Sequence, residues 1–396
     1  MKILILSFYF EPDLCAGSFR NTSIVKKVAE LLKNDGQVEV ITTLPNRYHT
    51  FTADAPKYEE TGNIKVWRSL LPVHKSGMID QSRAFISYIN TIRSYTRGKK
   101  YDLVYASSSR LMTAALGAFI AKKQNIPLYL DMRDIFTDSM EDLLKNPVSR
   151  AVLPVLRVIE KYTVRNASRI NLVSPGFKQH YFTIDNGKDY RVYTNGIDDE
   201  FLVYDFSGKT AGSGKKEILY AGNIGEGQGL HKIIPGAACK LGPDWHIRII
   251  GDGGMRTVLQ KAIKGMSNIS IEPPVQRIKL LERYKNADIL FLHLNDLPAF
   301  TKVLPSKLFE YGATGKPIIA GVAGLAQEFL MENIKNSAVF NPCDVSGFLH
   351  AINEVKIGHT PRQDFIRRYK RTNIVEQHAK DIIELAKQSY KNRNNG

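Results

Sequence analysis

Residues 303–321, VLPSKLFEYGATGKPIIAG, set a carboxylate among cations at the start of a helix. Pro305 and Gly315 punctuate that helix, proline at its first turn and glycine just past its last. Glu310 stands inside it, with Lys307 three and Ser306 four positions earlier, so the three share one helical face. Free N–H groups near Leu304 and Ser306, with the ammonium of Lys302 or Lys307, suit a diphosphate. Glu310, one turn deeper, suits the vicinal hydroxyls of a ribose, to which it would act as acceptor rather than as a mover of protons. A solvated ion pair with Lys307 is the plainer reading of the same carboxylate.

Other segments repeat the theme. FYFEPDLCAGSFRN places Gly17 just before a helix carrying Ile24, Val28 and Leu31. YAGNIGEGQGLHKII holds Gly222, Asn223, Gly225, Gly227, Gln228 and Gly229 ahead of another helix, and GDGG opens at Gly251. Each loop follows a β-rich run, where glycine admits a phosphate or sugar to the backbone and a helix N-terminus favours negative charge. Their spacings fit neither the dinucleotide fingerprint nor the P-loop. YLDMRD ends another run with Asp131, Arg133 and Asp134 together, as an internal ion pair or as a substrate contact. No Asp-x-Asp triplet, His-Glu-x-x-His or Gly-x-Ser-x-Gly is present, which leaves dipoles and lysines, without a metal, to stabilise a leaving diphosphate. Cys15, Cys239 and Cys343 lie far apart, forming neither a disulfide framework nor a metal cluster, and fit a reducing cytoplasm.

Thirteen short β-rich runs position these loops, alternating with helical stretches. They are KILILSF, VEVITT, KVWRSL, DLVYASS, LYLDMRD, RINLVSP and YRVYTNG, then EILYAGN, HIRIIGDG, ISIEPP, ADILFLHL, PIIAGV and SAVFNP. Such alternation predicts an α/β protein of two doubly wound parallel-sheet domains, and 396 residues are too many for one ordinary core. Such folds bind ligands at the carboxyl ends of their strands, here across a cleft between the two domains. The expected bounds are 1–203, a linker YDFSGKTAGSGKK at 204–216, a second domain at 217–372, and a C-terminal helix at 373–396 returning to the first domain. That last helix sets Ile374, His378, Ile382 and Leu385 on one side.

No apolar run approaches the roughly 18 residues of a spanning helix. The N-terminal run is short and ends in EPD, so it reads as a buried strand rather than a secretory leader. A net charge of +16 asks for an anionic partner. Zinc-finger, basic-zipper and RNP-like patterns of nucleic-acid binders are absent, leaving phosphorylated substrates or an anionic membrane. Two segments pair an apolar stripe with cations, which in the first meet no acid. In 83–100, Phe85, Ile89 and Ile92 accompany Arg83, Arg93, Arg97, Lys99 and Lys100; in 145–169, Val148, Val152, Leu156 and Ile159 accompany Arg150, Arg157, Lys161, Arg165 and Arg169. Each is either a helix resting among lipid headgroups or one packing its stripe on a sheet.

Along essentially its full length the chain resembles the GT-B glycosyltransferases of family GT4, especially the bacterial O-antigen and capsule subgroup typified by N-acetyl-L-fucosamine transferases. FEPDLCAGSFRNTSIVKKVAELL, YTNGIDDEF, YAGNIGEGQGL, IIGDGG and PSKLFEYGATGKPIIA carry the resemblance, in family order and spacing. The resemblance implies a retaining transferase that moves a sugar from a UDP-linked donor to a polyprenyl-diphosphate-linked glycan at the cytoplasmic face of the membrane, with no cofactor and no metal. It gives Gly17 and the Gly222 loop the diphosphate, the backbone near Val275 the base, and Glu310 the ribose, with Gly251 a further substrate-binding candidate. Arg133, Lys302 and Lys307 become the candidate catalytic cations. Departures are Lys302 in place of a first glutamate, Asn223 and Gln228 where the family carries Arg and Lys, and Arg133 near the family's histidine. Other readings are a sugar-nucleotide epimerase of the same fold and a non-catalytic nucleotide-sugar-binding protein.

Overall fold

Short runs rich in Val, Ile, Leu and Tyr become parallel strands buried on both faces in the computed structural model, which describes residues 1–46, 54–71, 78–143, 150–208 and 214–394. The chain forms two units: Met1–Arg47, Thr52–Thr194 and Asn373–Gly396 make the first, and Asn195–Thr372 make the body of the second.

The first unit carries β1 (Lys2–Leu6), β2 (Gln37–Thr43), β3 (Tyr58–Thr61), β4 (Ile64–Ser69), β5 (Leu103–Ser107), β6 (Leu128–Met132), β7 (Arg169–Leu172) and β8 (Asp189–Arg191). They form one sheet in the order β3-β4-β2-β1-β5-β6-β7-β8. Only β3 runs antiparallel, paired with β4 across a tight turn at Gly62. The Ala16–Leu32 helix lays Ile24, Val25 and Val28 over β1 and β2, and Ile382 and Ala386 of the C-terminal helix close the same core. The C-terminal stripe is Val375, Ala379, Ile382 and Ile383, with His378 also buried, whereas Ile374 and Leu385 are half-buried. The burying face is thus turned slightly from the expected one.

The second unit carries β9 (Lys216–Ala221), β10 (Trp245–Ile250), β11 (Ile269–Glu272), β12 (Ile289–His293), β13 (Ile318–Gly321) and β14 (Ser337–Phe340). All are parallel, in the order β11-β10-β9-β12-β13-β14, with an apolar core on each face. The order reverses between β9 and β12, which marks the loop after β9 as this unit's binding crevice. The chain enters the unit between Thr194 and Asn195, ahead of the boundary drawn at 203. Residue 197 explains why: Ile197 N–H donates to Tyr369 O at 2.8 Å, and Arg371 N–H donates to Ile197 O at 2.9 Å. The linker assigned to 204–216 begins with a packed stretch, since Phe206 is buried beside Phe201; residues 209–213 lie outside the described residues.

Both basic segments differ from expectation. The Met78–Thr96 helix buries Phe85, Tyr88 and Ile92 in the protein, leaving Arg83, Arg93, Arg97 and Lys100 exposed. Lys99 does meet an acid, Glu39 at 3.1 Å. In the second segment Val148 lies outside the described residues. Arg157 reaches Glu141 at 2.6 Å, and Arg169 reaches Asp189 at 2.6 Å. The Leu153–Arg165 helix buries Leu153, Glu160 and Val164 and exposes Val155 and Val158, so Glu160 displaces the expected apolar stripe.

Candidate active site

In the second unit, β9 and β10 end side by side at Gly222 and Gly251. Gly222 N–H donates to Ile250 O at 2.8 Å, and Gly251 N–H donates to Glu272 O at 3.0 Å. Both glycines have positive φ, 148° and 158°. A Cβ on Gly251 would overlap Gly222 O, and one on Gly222 would overlap the end of the Lys307 side chain. Lys307 therefore lies across the glycine loop, its ammonium 5.3 Å from the centre of the Tyr220 ring. The structure brings Gly222, Gly251 and Lys307 together.

Asn223 and Gln228 brace this loop from within. Asn223 Nδ2 donates to Gln228 Oε1 at 2.7 Å, Gly225 N–H to the same oxygen at 3.2 Å, and Tyr220 OH to Asn223 O at 2.6 Å. Behind them, buried His293 accepts from Cys343 N–H at Nε2 (2.9 Å), so its Nδ1 carries the proton and donates to Gln228 O at 2.6 Å. Burial pulls this imidazole down to about 4, opposed by its bond to Gln228. Asn295 Nδ2 donates to Glu226 O at 2.9 Å and completes the support.

The helix of the opening motif spans Ser306–Ala313, with Pro305 as its extended N-cap residue. Leu304 is buried in the core and anchors the entry to the helix. Lys302 closes the Pro298–Lys302 turn, whose Phe300 ring occupies the space a Cβ on Gly227 would need. Val275 is half-buried in the segment between β11 and the Arg277–Asn286 helix. Glu310 is buried, which corrects the solvated reading, and its ion-pair partner is Arg277, at 3.1 Å to Oε1. Tyr284 OH donates to Glu310 Oε2 at 3.4 Å. Arg277 also reaches Asp198 at 2.8 Å, pairs with Glu200, and lies over the Phe201 ring at 4.8 Å. Burial opposes the Arg277 charge, but the three carboxylates outweigh it and raise the guanidinium above its ordinary range.

In the first unit, Gly17 lies in the first turn of the Ala16–Leu32 helix, and a Cβ there would come 3.1 Å from Ser109 Oγ. Asp131 proves to be an internal ion-pair member, fully buried, with both oxygens 3.0 Å from Arg20 nitrogens and Asn171 Nδ2 at 2.6 Å. Burial alone would raise its carboxyl; the charges of Arg20, His378 and Arg133 hold it far below the carboxylate range. Arg133 differs. Its N–H donates to Ser108 Oγ at 2.8 Å, but Nη1 is enclosed 3.9 Å from Asp131 without a hydrogen-bond partner. Asp134 likewise keeps an enclosed, unpartnered Oδ1. Burial pushes its carboxyl up to about 7, with the Arg133 charge opposing. Sequence reading missed Arg20 and Arg277. The available signal was an arginine in line with an apolar stripe: Arg20 with Ile24 and Val28, Arg277 with Leu281 and Tyr284. Among the described residues, no group of three or more His, Cys, Asp or Glu side chains could hold a metal ion.

Two α/β units built on largely parallel sheets, with these loops at their strand ends, have the GT-B fold. The domains are particular: residues 22–196 match the glycosyl transferase 4-like domain, and residues 205–372 match the glycosyl transferases group 1 family. The chain thus carries both domains, the glycosyl transferase 4-like domain followed by the glycosyl transferases group 1 domain. It is 30% identical over 176 residues to the putative colanic acid biosynthesis glycosyl transferase WcaI of Escherichia coli K12, a match covering 42% of this chain and 43% of that relative. That match spans less than half the relative's length. Among solved structures, sucrose-phosphate synthase from Thermosynechococcus elongatus superposes with a TM-score of 0.67 at 12% identity, covering 100% of this chain and 98% of that one. Anabaena HepE, solved with UDP, gives 0.58 at 16% identity, with 100% of both chains covered. At such identities these likenesses establish the fold.

Proposed function

We propose that this chain transfers a sugar, of the N-acetylated deoxyhexosamine class, from a UDP-linked donor to a polyprenyl-diphosphate-linked glycan. In this reading it retains anomeric configuration, works without a metal, and acts at the cytoplasmic face of the membrane in O-antigen or capsule synthesis. The observation that carries the donor side is Lys307 lying over Gly222 beside the first turn of the Ser306–Ala313 helix, with Glu310 one turn deeper. As the bond to the diphosphate breaks, negative charge grows on the leaving phosphate while the sugar carbon becomes oxocarbenium-like. The ammonium of Lys307 and the helix dipole meet that charge from fixed positions, so they stabilise the transition state more than the bound donor. The departing phosphate oxygen takes the proton of the attacking hydroxyl. The glycine loop supplies close backbone approach, the backbone near Val275 the base contact, and Glu310 the ribose contact. HepE was solved with UDP and WcaI is named for colanic acid, which supports a nucleotide donor and a surface-glycan product.

The acceptor side rests on the first unit. Arg93, Arg97, Lys100 and Lys123 border a groove whose apolar wall includes half-exposed Phe119, a surface suited to anionic headgroups. Among the described residues no helix is long and apolar enough to cross a membrane. The test is incubation of purified protein with UDP-sugars and a polyprenyl-diphosphate glycan, with and without EDTA. Released UDP, a glycan lengthened by one α- or β-linked sugar matching the donor anomer, and EDTA insensitivity are expected. An isomerised donor, an inverted linkage or loss of turnover in EDTA would overturn the respective parts.

A further inference from the structure

Glu310 is buried, yet it is bound on only part of its carboxylate. Arg277 Nη1 engages Oε1 at 3.1 Å, and Tyr284 OH lies 3.4 Å from Oε2. Each oxygen has two lone pairs, so both keep acceptor capacity, and the side chain is 11% exposed. Arg277 is in turn immobilised. Nη2 reaches Asp198 Oδ2 at 2.8 Å, Nε pairs with Glu200, and the guanidinium plane covers Phe201 at 4.8 Å. Asp198 also pairs with Arg371. A planar guanidinium held on every nitrogen transmits its orientation to what it binds, which a lysine cannot do.

We propose that Arg277 is a positioning residue for donor specificity: it fixes the Glu310 carboxylate so that both oxygens meet a vicinal diol, selecting ribonucleotides over 2′-deoxyribonucleotides. This rests on the reading of Glu310 as the ribose contact. A carboxylate free to rotate satisfies one hydroxyl in many poses, so it gains little from a second. A carboxylate locked in plane accepts from two adjacent hydroxyls at once, and loss of either leaves one oxygen short of a donor. Sites built to hydrogen-bond a hydroxyl reject analogues lacking it for that reason. The Asp198–Glu200 turn thereby contributes to donor choice through Arg277 without touching the ligand.

The experiment is calorimetric titration of the full-length protein with UDP and with 2′-deoxy-UDP, in wild type, Arg277→Lys, Arg277→Met, Glu200→Gln and Glu310→Gln. Thermal melts check that each variant is folded. Wild type should bind UDP about 10-fold or more tighter than 2′-deoxy-UDP, the weight of one hydrogen bond to a charged group. In Arg277→Met the ratio should fall to about 1–3, with 2′-deoxy-UDP binding little changed, and Arg277→Lys should recover only part of it. Glu200→Gln leaves the guanidinium in place and tests the same chain of contacts should Arg277→Met fail to fold; it should lower the ratio to a smaller extent. A ratio in Arg277→Met or Glu200→Gln equal to that of wild type, while Glu310→Gln abolishes it, would overturn the role of Arg277 and leave the ribose contact standing. Equal binding of the two nucleotides by wild type, unaffected by Glu310→Gln, would instead refute the ribose contact itself.

Discussion

Lys307 and Asp134 carry the sharpest residue-scale predictions. Lys307 meets charge that exists fully only as the donor bond breaks, so Lys307→Ala should lower kcat about 10²–10³-fold while changing the donor KM little. Steady-state kinetics check this; a large KM change at constant kcat would make Lys307 a ground-state contact. Asp134 concerns stability. Its carboxyl sits at about 7 in the folded protein against about 3.9 unfolded. Folding is therefore favoured below the unfolded value and loses stability as pH rises through 7. Asn removes the titration, so the melting-temperature gain of Asp134→Asn should grow from pH 5 to pH 8. A pH-independent difference would show that the buried carboxyl does not titrate so high. Individual residues were also where sequence reading reached least. Arg20 and Asp131 are 111 positions apart, and Arg277 and Glu310 are 33 apart. Long-range pairs of that kind leave no local spacing to read; only a cation on an apolar stripe betrays them.

At the scale of elements, local chemistry spoke more clearly. Pro305 and Gly315 bracket the observed Ser306–Ala313 helix within a residue or two, because capping depends on a few adjacent positions. Each of the thirteen β-rich runs overlaps a strand, and the central ones, such as β1, β5, β6 and β12, are apolar almost throughout because they are buried on both faces. β3 escaped because YEET is short, charged and at the sheet edge, where pairing needs no apolar face. The glycine loops were recognised by composition, but their stacking was not, since it depends on strand order. Gly251→Ala should thus cost more than about 1 kcal/mol, because its Cβ would overlap Gly222 O at a positive φ. Gly254, with open space around it, serves as the contrast, and Gly254→Ala should stay within about 0.5 kcal/mol. Denaturant melts giving equal losses for both would contradict the stacked-loop geometry.

For the whole molecule, the charge of +16 is only partly used inside. Arg157, Arg169 and Lys99 meet carboxylates, whereas Arg93, Arg97 and Lys100 are exposed beside the groove that includes Phe119. Each basic residue near an anionic surface contributes about 1 kcal/mol. Arg93→Glu with Lys123→Glu should therefore weaken co-sedimentation with phosphatidylglycerol vesicles at least about 10-fold, and wild-type binding should fall as salt rises from about 0.1 to 0.5 M. Salt-insensitive binding, or none, would remove lipid docking from the account.

The proposed mechanism requires a nucleoside diphosphate in the second unit, its phosphates between the Gly222 loop and Lys307 and its ribose at Glu310. A crystal structure of the full chain with UDP tests it most directly. Phosphate oxygens should lie within hydrogen-bond distance of Lys307 Nζ and of first-turn N–H groups of the Ser306–Ala313 helix, with both ribose hydroxyls on Glu310. A nucleotide bound elsewhere, or a divalent ion bridging its phosphates, would contradict it.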